Sequence, residues 1–322
     1  MAITEQLRQL IKNKYTTALE NKDVLFVEAD STKVVDKKTG MKYVVSFTPS
    51  LKSKPERADA EKDKIDPFAK LEPELTVLED VTGNGRYKLV LNKFPVVPEH
   101  SLLVTNAFEH QMASLTPEDL ITSYEIISKL NINDNGDRHM VFYNSGPLSG
   151  SSQDHKHLQI MKIPDGLTTL QDSLCNGRDH YIPTPREEPL QNDKVAFAHF
   201  AIPLPTDSTE IDEDLLTISY FSLLQRALTF FQDWLEEKPE LADKRSYNVI
   251  MTQEWLCVIP RSSTQAKSLQ IGFNATGYTG FVLVKEQSVF EKINQDPSLL
   301  NKVLLECGFP STAGQKTTEY NY

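Results

Sequence analysis

Near the middle of the chain two apolar runs, His139 to Asn144 and His155 to Ile163, are separated only by the small-residue stretch Ser145 to Gln153. That pattern reads as two strands joined by a Gly/Ser loop, and the pair is expected to run antiparallel. Other short runs repeat the theme. Tyr87 to Asn92 and Ser101 to Thr105 flank the proline-bearing turn Lys93 to Glu99, and Tyr247 to Thr252 with Trp255 to Ile259 reads as a hairpin. Val24 to Glu28, Lys42 to Phe47 and Phe281 to Lys285 are further strand candidates, the last preceded by a loop from Gly272 to Gly280.

Helical spacing appears between these runs. Ile3, Leu7, Leu10, Ile11, Tyr15, Ala18 and Leu19 share one face of a first helix. Thr116-Pro117-Glu118-Asp119 is a helix start, followed by the stripe Leu120, Tyr124, Ile127 and Leu130. Asp212 to Glu237 places Leu216, Tyr220, Leu223, Ala227, Phe230, Phe231 and Trp234 at helical spacing behind an acidic first turn. A last helix, Pro297 to Cys307, is expected to be capped by Gly308. The fold class is therefore α+β, an antiparallel sheet flanked by helices, with no fixed-period repeat.

The 322 residues fit about two domains. A proline-rich stretch from Pro183 to Pro189 places the expected division at 1–190 and 191–322, the first part carrying the histidine strand and the second completing the site. No window approaches the run of about 18 apolar residues that a membrane helix needs, and the first helix has no signal-peptide core. Cys175, Cys257 and Cys307 are widely spaced, which points to a reducing compartment, the cytoplasm and also the nucleus. A net charge of −11 opposes non-specific attraction to nucleic acid. A polyphosphate ligand would need basic residues gathered locally. The charged stretch Lys52 to Glu74 reads as a solvated loop, either a surface excursion or a lid.

The sharpest chemical signal is Asp154-His155-Lys156-His157-Leu158-Gln159. On a strand, period-two alternation sends His155, His157 and Gln159 to one face. Neutral imidazole is a competent nucleophile toward phosphorus and would form a phosphoramidate. The preceding loop, Asn144 through Gln153, lets backbone N–H groups and hydroxyls approach phosphate oxygens, and Lys54, Lys93 and Lys285 are candidate phosphate partners. The same residues admit blander readings. The two histidines could ligate a metal with His110 or His139, the loop could be an ordinary connection, and each lysine could be solvated.

The segment Gly150 to Gln159 resembles the histidine-triad superfamily, in the transferase branch where glutamine replaces the third histidine. Together with Leu91-Asn92-Lys93-Phe94-Pro95, Arg138 to Pro147 and Gly272 to Tyr278, it resembles the fungal diadenosine tetraphosphate phosphorylases, over nearly the whole chain. The resemblance implies two lobes related to the galactose-1-phosphate uridylyltransferase branch. It also implies reversible phosphorolysis of diadenosine tetraphosphate to ADP and ATP through an adenylylated histidine. Carried over by position, His157 is the nucleophile, His155 orients the site and Gln159 holds the transferring phosphate. Asn144, Gly150, Ser151, Ser152 and Gln153 match phosphate and ribose contacts. Lys54, Asn92, Lys93, Asn274, Ala275, Thr276, Phe281 and Lys285 match further substrate-binding positions. A divalent cation such as magnesium is expected to come with the nucleotide, with no organic cofactor and no dedicated protein metal site.

The resemblance further implies a monomer acting on small nucleotides, with neither nucleic acid nor membrane as partner. Three other functions remain open at this point: a related nucleotidyltransferase acting on another nucleotide or sugar phosphate, a non-catalytic adenine-nucleotide binder, and a metal-dependent hydrolase built on His155 and His157.

Overall fold

The computed structural model describes residues 6–50, 66–70, 72–132, 135–184, 186–237, 239 and 244–314, without the side chains of residues 230 and 232–237. Ile3, Lys54 and the side chains of Phe230 and Trp234 therefore lie outside the described residues. Most of the stretch 52–74 does too.

The core element is an eight-stranded sheet in which every pairing is antiparallel. Its first five strands in chain order are β3 (Thr76–Leu78), β4 (Tyr87–Leu91), β5 (Ser101–Thr105), β6 (His139–Ser145) and β7 (His157–Lys162). The other three are β8 (Phe200–Pro203), β9 (Ser246–Met251) and β10 (Trp255–Arg261). They lie side by side as β3-β4-β5-β7-β6-β9-β10-β8, so the sheet runs unbroken from the first part of the chain into the second. A two-stranded ribbon pairs β11 (Gln265–Ala266) with β12 (Ile271–Gly272), and a smaller sheet has the order β1-β2-β13, from β1 (Asp30–Val35), β2 (Lys42–Phe47) and β13 (Phe281–Val284), with β13 parallel to β2.

Alternation along the strands divides the interior in two. One face of the large sheet sends Leu158, Ile160, Val141 and Leu103 toward three helices, α1 (Leu7–Glu20), α2 (Pro117–Leu130) and α4 (Glu213–Glu237). The other sends Met140, Phe142, Met161 and Ile259 toward the smaller sheet and α3 (Leu170–Cys175), α5 (Gln287–Gln295) and α6 (Leu299–Cys307). Helix α2 starts where expected, because Thr116 and Asp119 close a reciprocal capping box and Pro117 occupies the first turn. Its stripe Leu120, Tyr124, Ile127 and Leu130 is buried.

Several expectations are corrected. Val24 to Glu28 is not a strand; Leu25 and Val27 donate to the carbonyls of Lys93 and Pro95 without forming a ladder, and the first strand starts at Asp30. Leu19 is 40% exposed, since the buried face of α1 is Leu7, Ile11, Tyr15 and Ala18. The loop from Gly272 to Gly280 contains a 3-10 turn over Ala275–Thr279, capped by the Asn274 side chain. Helix α5 was not anticipated. Gly308 is the C-cap of α6 as expected, its N–H donating to the Leu305 carbonyl, but it is extended, φ −122°, and not left-handed, and it packs closely beside Leu304 and Tyr278. Strand β13 ends at Val284, leaving Lys285 beyond it.

His199, next to β8, has no exposed surface. Its Nδ1 faces the Phe197 carbonyl at 2.9 Å and its Nε2 accepts the Asn192 N–H at 2.8 Å. Burial holds its pKa down to about 4, and burial does the same for His139. Between the unfolded value near 6.5 and about 4, the unfolded chain takes a proton that the folded one refuses, so stability is lost as pH falls through that window. Denaturant titrations at pH 6.5 and 4.5 are expected to show this loss. The slope should be shallower in His199→Gln, by up to about 1.4 kcal/mol per pH unit; equal slopes would remove His199 from the account.

Candidate active site

Strand β7 lies between β5 and β6, and His157, Gln159 and Met161 project from the face that carries the smaller sheet. His155 lies one step before the strand, joined to His110 by an isolated bridge. The expected strand from His155 therefore begins two residues later. Lys156 points the other way, fully buried, with Nζ 2.5 Å from Asp119 of the α2 capping box and 3.3 Å from Glu109.

The His157 ring is 4% exposed, and its Nδ1 lies 2.8 Å from the carbonyl oxygen of His155. A carbonyl only accepts, so Nδ1 carries the proton and Nε2 carries the lone pair. The His155 ring is held at both nitrogens: Nδ1 is 2.8 Å from Asp66 Oδ2, and Nε2 is 2.7 Å from the Thr105 carbonyl. Phe68 packs on both imidazoles, with ring centroids 5.3 Å from His157 and 5.7 Å from His155. His110 stands beside His155 with its ring against Phe108. His139 sits at the far end of β6 with Nδ1 on Asn131 Oδ1, and does not converge with the other two.

A cavity of about 220 Å³ opens in front of His157 and Gln159. Phe68, Val90 and Leu102 give it an apolar slot, Asn92 closes one side, and Ser152 and Gln153 form the rim. Lys70, Lys88 and Lys93 also line it, with Glu72 3.4 Å from Lys93. Lys88 is 4% exposed and donates to the Phe68 carbonyl at 2.6 Å; burial lowers its pKa, while Asp66 opposes that shift.

The Gly/Ser loop is locked from beneath. Asn144 Oδ1 accepts from Asn248 Nδ2 at 2.8 Å and from the Ala275 N–H at 3.1 Å, while Asn144 Nδ2 is buried with no partner among the described residues. The Ser149 carbonyl accepts from Asn248 and from Arg261 Nη1. Arg261 is fully buried, and its other acceptors include the Phe273 carbonyl, next to Asn274. Ser151 Oγ donates to the Gln153 carbonyl. Asn274 accepts from both the N–H and the Oγ1 of Thr276.

Of the expected residues, the structure thus gathers His155, His157, Gln159, Asn92, Lys93, Asn144, Gly150 to Gln153 and the Asn274 to Thr276 segment. Phe281 lines a separate cleft of about 970 Å³ between α1, the smaller sheet and the ends of β6 and β7. Lys285 lines neither space, so these two expected substrate-binding residues are not brought to the cavity at His157. Asp66, Phe68, Lys88, Thr105, Asn248 and Arg261 were not anticipated. Only Lys88 had a local signal, a lysine inside an otherwise apolar strand.

A family model described as the Ap4A phosphorylase N-terminal domain matches residues 2–173, and one described as the ATP adenylyltransferase C-terminal domain matches residues 193–310. Among curated proteins of Saccharomyces cerevisiae, Protein APA1 is 53% identical over the whole of both chains. Diadenosine tetraphosphate phosphorylase 2 is 52% identical over 99% of this chain and all of its own. The crystal structure of yeast Ap4A phosphorylase Apa2 in complex with Ap4A superposes with a TM-score of 0.87 at 49% identity, covering 97% of this chain and all of that one.

Gly150 has φ +87°, and a Cβ there would lie 2.5 Å from the Phe273 carbonyl oxygen and 2.9 Å from Asn274. Gly150→Ala is therefore expected to cost about 2 kcal/mol and to separate the two loops. Thermal melts should fall and adenine-nucleotide binding, measured by calorimetry, should weaken at least about tenfold. Unchanged binding would detach this contact from the ligand site.

Proposed function

The chain belongs to the Ap4A phosphorylase family, and from that membership we propose that it cleaves diadenosine tetraphosphate by phosphorolysis through an adenylyl group carried on His157. It is a nucleotidyltransferase acting on small nucleotides, and the reaction yields ADP and ATP reversibly. The observation that carries the assignment of His157 is the Nδ1 contact with the His155 carbonyl, which puts the lone pair on Nε2 within a wall of the cavity.

In the first step His157 Nε2 bonds to the phosphorus next to one adenosine, the bond from that phosphorus to the bridging oxygen breaks, and ATP leaves with the electron pair. The ring becomes cationic, with the Nδ1 proton still held by the His155 carbonyl. In the second step an oxygen of inorganic phosphate bonds to the same phosphorus, the N–P bond breaks, and ADP leaves a neutral imidazole. Atoms and charges balance in both directions.

The apolar slot between Phe68, Val90 and Leu102 suits a purine, and Lys70, Lys88 and Lys93 suit the polyphosphate. Asn144 Nδ2, a buried donor without a partner among the described residues, is offered to a phosphate oxygen as charge develops. Among the described residues Glu72 is the carboxylate lining the cavity, and it faces Lys93. With Asn92, Gln153 and Gln159 as neutral oxygen donors, this lining fits a divalent cation carried on the substrate's phosphates, where it would shield charge. We take the protein to act as a monomer in the cytoplasm or nucleus on free nucleotides.

Gln159 cannot shuttle a proton as histidine does, which favours an acceptor that is already anionic over water. With diadenosine tetraphosphate labelled in the adenylyl phosphate, wild type is expected to take up label without phosphate and to release it as ADP when phosphate is added. His157→Ala should do neither, with turnover down at least about 1,000-fold. If both proteins behave alike, His157 is not the nucleophile. In Gln159→His the ratio of AMP to ADP at fixed phosphate should rise several-fold; an unchanged ratio would count against the role given to the amide.

A further inference from the structure

Strands β6 and β7 pair from His139↔Lys162 to Phe142↔Gln159, and the ladder stops there. Tyr143 with Leu158 and Asn144 with His157, the next two positions of the same registry toward the site, are not paired with each other. Each strand keeps its outer neighbour at this level: Asn144 pairs with Asn248 of β9, and His157 with Val104 of β5. The gap is filled by one side chain, Gln111, which is 3% exposed. Its Oε1 accepts the N–H of His157 at 2.8 Å, while its Nε2 donates to the carbonyls of His157 at 3.1 Å and Asn144 at 3.0 Å.

A carboxamide has the donor and acceptor set of a peptide group, so it can stand in for a missing rung without leaving a buried backbone group unpaired. Gln111 is itself fixed. Its N–H donates to the Asp154 carbonyl at 2.8 Å, and its carbonyl accepts from the Tyr143 hydroxyl at 2.6 Å. The chain around it thus ties together the residue before the histidines and the residue before Asn144.

We propose that Gln111 is a positioning residue for adenylyl transfer: its carboxamide holds β6 and β7 apart at the nucleophile and thereby sets the His157 ring against the Asn144 carboxamide. The inference rests on the adenylyl-transfer reading of this site. Closing the split would move the backbone of His157 toward that of Asn144. A nucleophile and a charge-stabilising donor must meet one phosphorus within a few tenths of an ångström, and misplacement by about 1 Å costs on the order of 100-fold. Neither leucine nor glutamate can replace the amide. Leucine orphans two carbonyls and one N–H, while a carboxylate puts an oxygen opposite two carbonyl acceptors.

The test is single-turnover labelling with the adenylyl-labelled dinucleotide in the absence of phosphate, for wild type, Gln111→Leu and Gln111→Glu. Burst amplitude counts competent molecules, and the rate constant reports chemistry per molecule. The expected result is near-full amplitude with a rate constant about 100-fold lower, and dinucleotide affinity within about threefold of wild type. A rate constant equal to that of wild type, or loss confined to the amplitude, would overturn the proposal by making Gln111 merely structural.

Nitrogen-15 NMR of the histidine rings supplies a second readout. The His157 signals, assigned by their absence in His157→Ala, should change from one tautomer to a mixture in Gln111→Leu and stay unmixed if Gln111 is irrelevant. Should both variants fail to fold, hydrogen exchange in the wild type decides. The His157 amide should be protected as strongly as its strand-paired neighbours, and fast exchange there would overturn the assignment. A wild type that takes no label counts against adenylyl transfer itself, whereas the amide and ring signals judge Gln111 in either case.

Discussion

The site depends on one buried guanidinium with no carboxylate beside it among the described residues. Arg261, at the end of β10, donates from Nε to the Cys307 carbonyl, from Nη1 to the Ser149 carbonyl and Asn248 Oδ1, and from Nη2 to the carbonyls of Ser263 and Phe273. Tyr278 covers its face at 5.0 Å. These five acceptors lie on the phosphate loop, on β9, on both sides of the 264–272 excursion and at the end of α6. The Ser149 and Cys307 carbonyls keep Asn248 and Ser262 as donors, whereas Asn248 Oδ1 and the Phe273 carbonyl would lose theirs if the arginine were lost, at about 1–3 kcal/mol for each buried group left unpaired. The planar fork also orients Asn248, which then orients Asn144, so a residue outside the cavity lining fixes the carboxamide beneath the Gly/Ser loop.

The charge balance around the phosphates follows from the same arrangement. The chain as a whole is acidic, yet its lining lysines and the uncompensated Arg261 make this region locally positive. Burying Lys88 beneath Phe68 removes water that would otherwise screen it. The recessed lysines remain available to a short polyphosphate that fits inside.

Features with local causes were legible in the sequence. The capping box at Thr116 and Asp119, the hairpin of β9 and β10, and the face shared by His157 and Gln159 follow from neighbours in the chain, and the structure has all three. Val24 to Glu28 failed because five apolar-rich residues do not disclose whether a partner strand lies alongside, and here only two isolated bonds form. Gln111 and Arg261 were invisible for a different reason. Gln111 reaches residues 33 and 46 positions away, and Arg261 reaches Ser149 across 112, and a lone polar residue in a sequence carries no mark of such a partner. The resemblance pointed to candidate substrate positions but not to the scaffold that holds them.

The strand order has a consequence for the order of synthesis. Strand β6 has β7 on one side and β9 on the other, and β9 belongs to a segment that leaves the ribosome long after β7. Until Ser246 to Arg261 has emerged, the β6 edge is an open ladder of unpaired amides, and the Ser145 to Gln153 loop lacks both Asn248 and Arg261 beneath it. A nascent chain therefore displays the histidine motif before it has a formed nucleotide site, and the same late pairing closes the edge and completes that site.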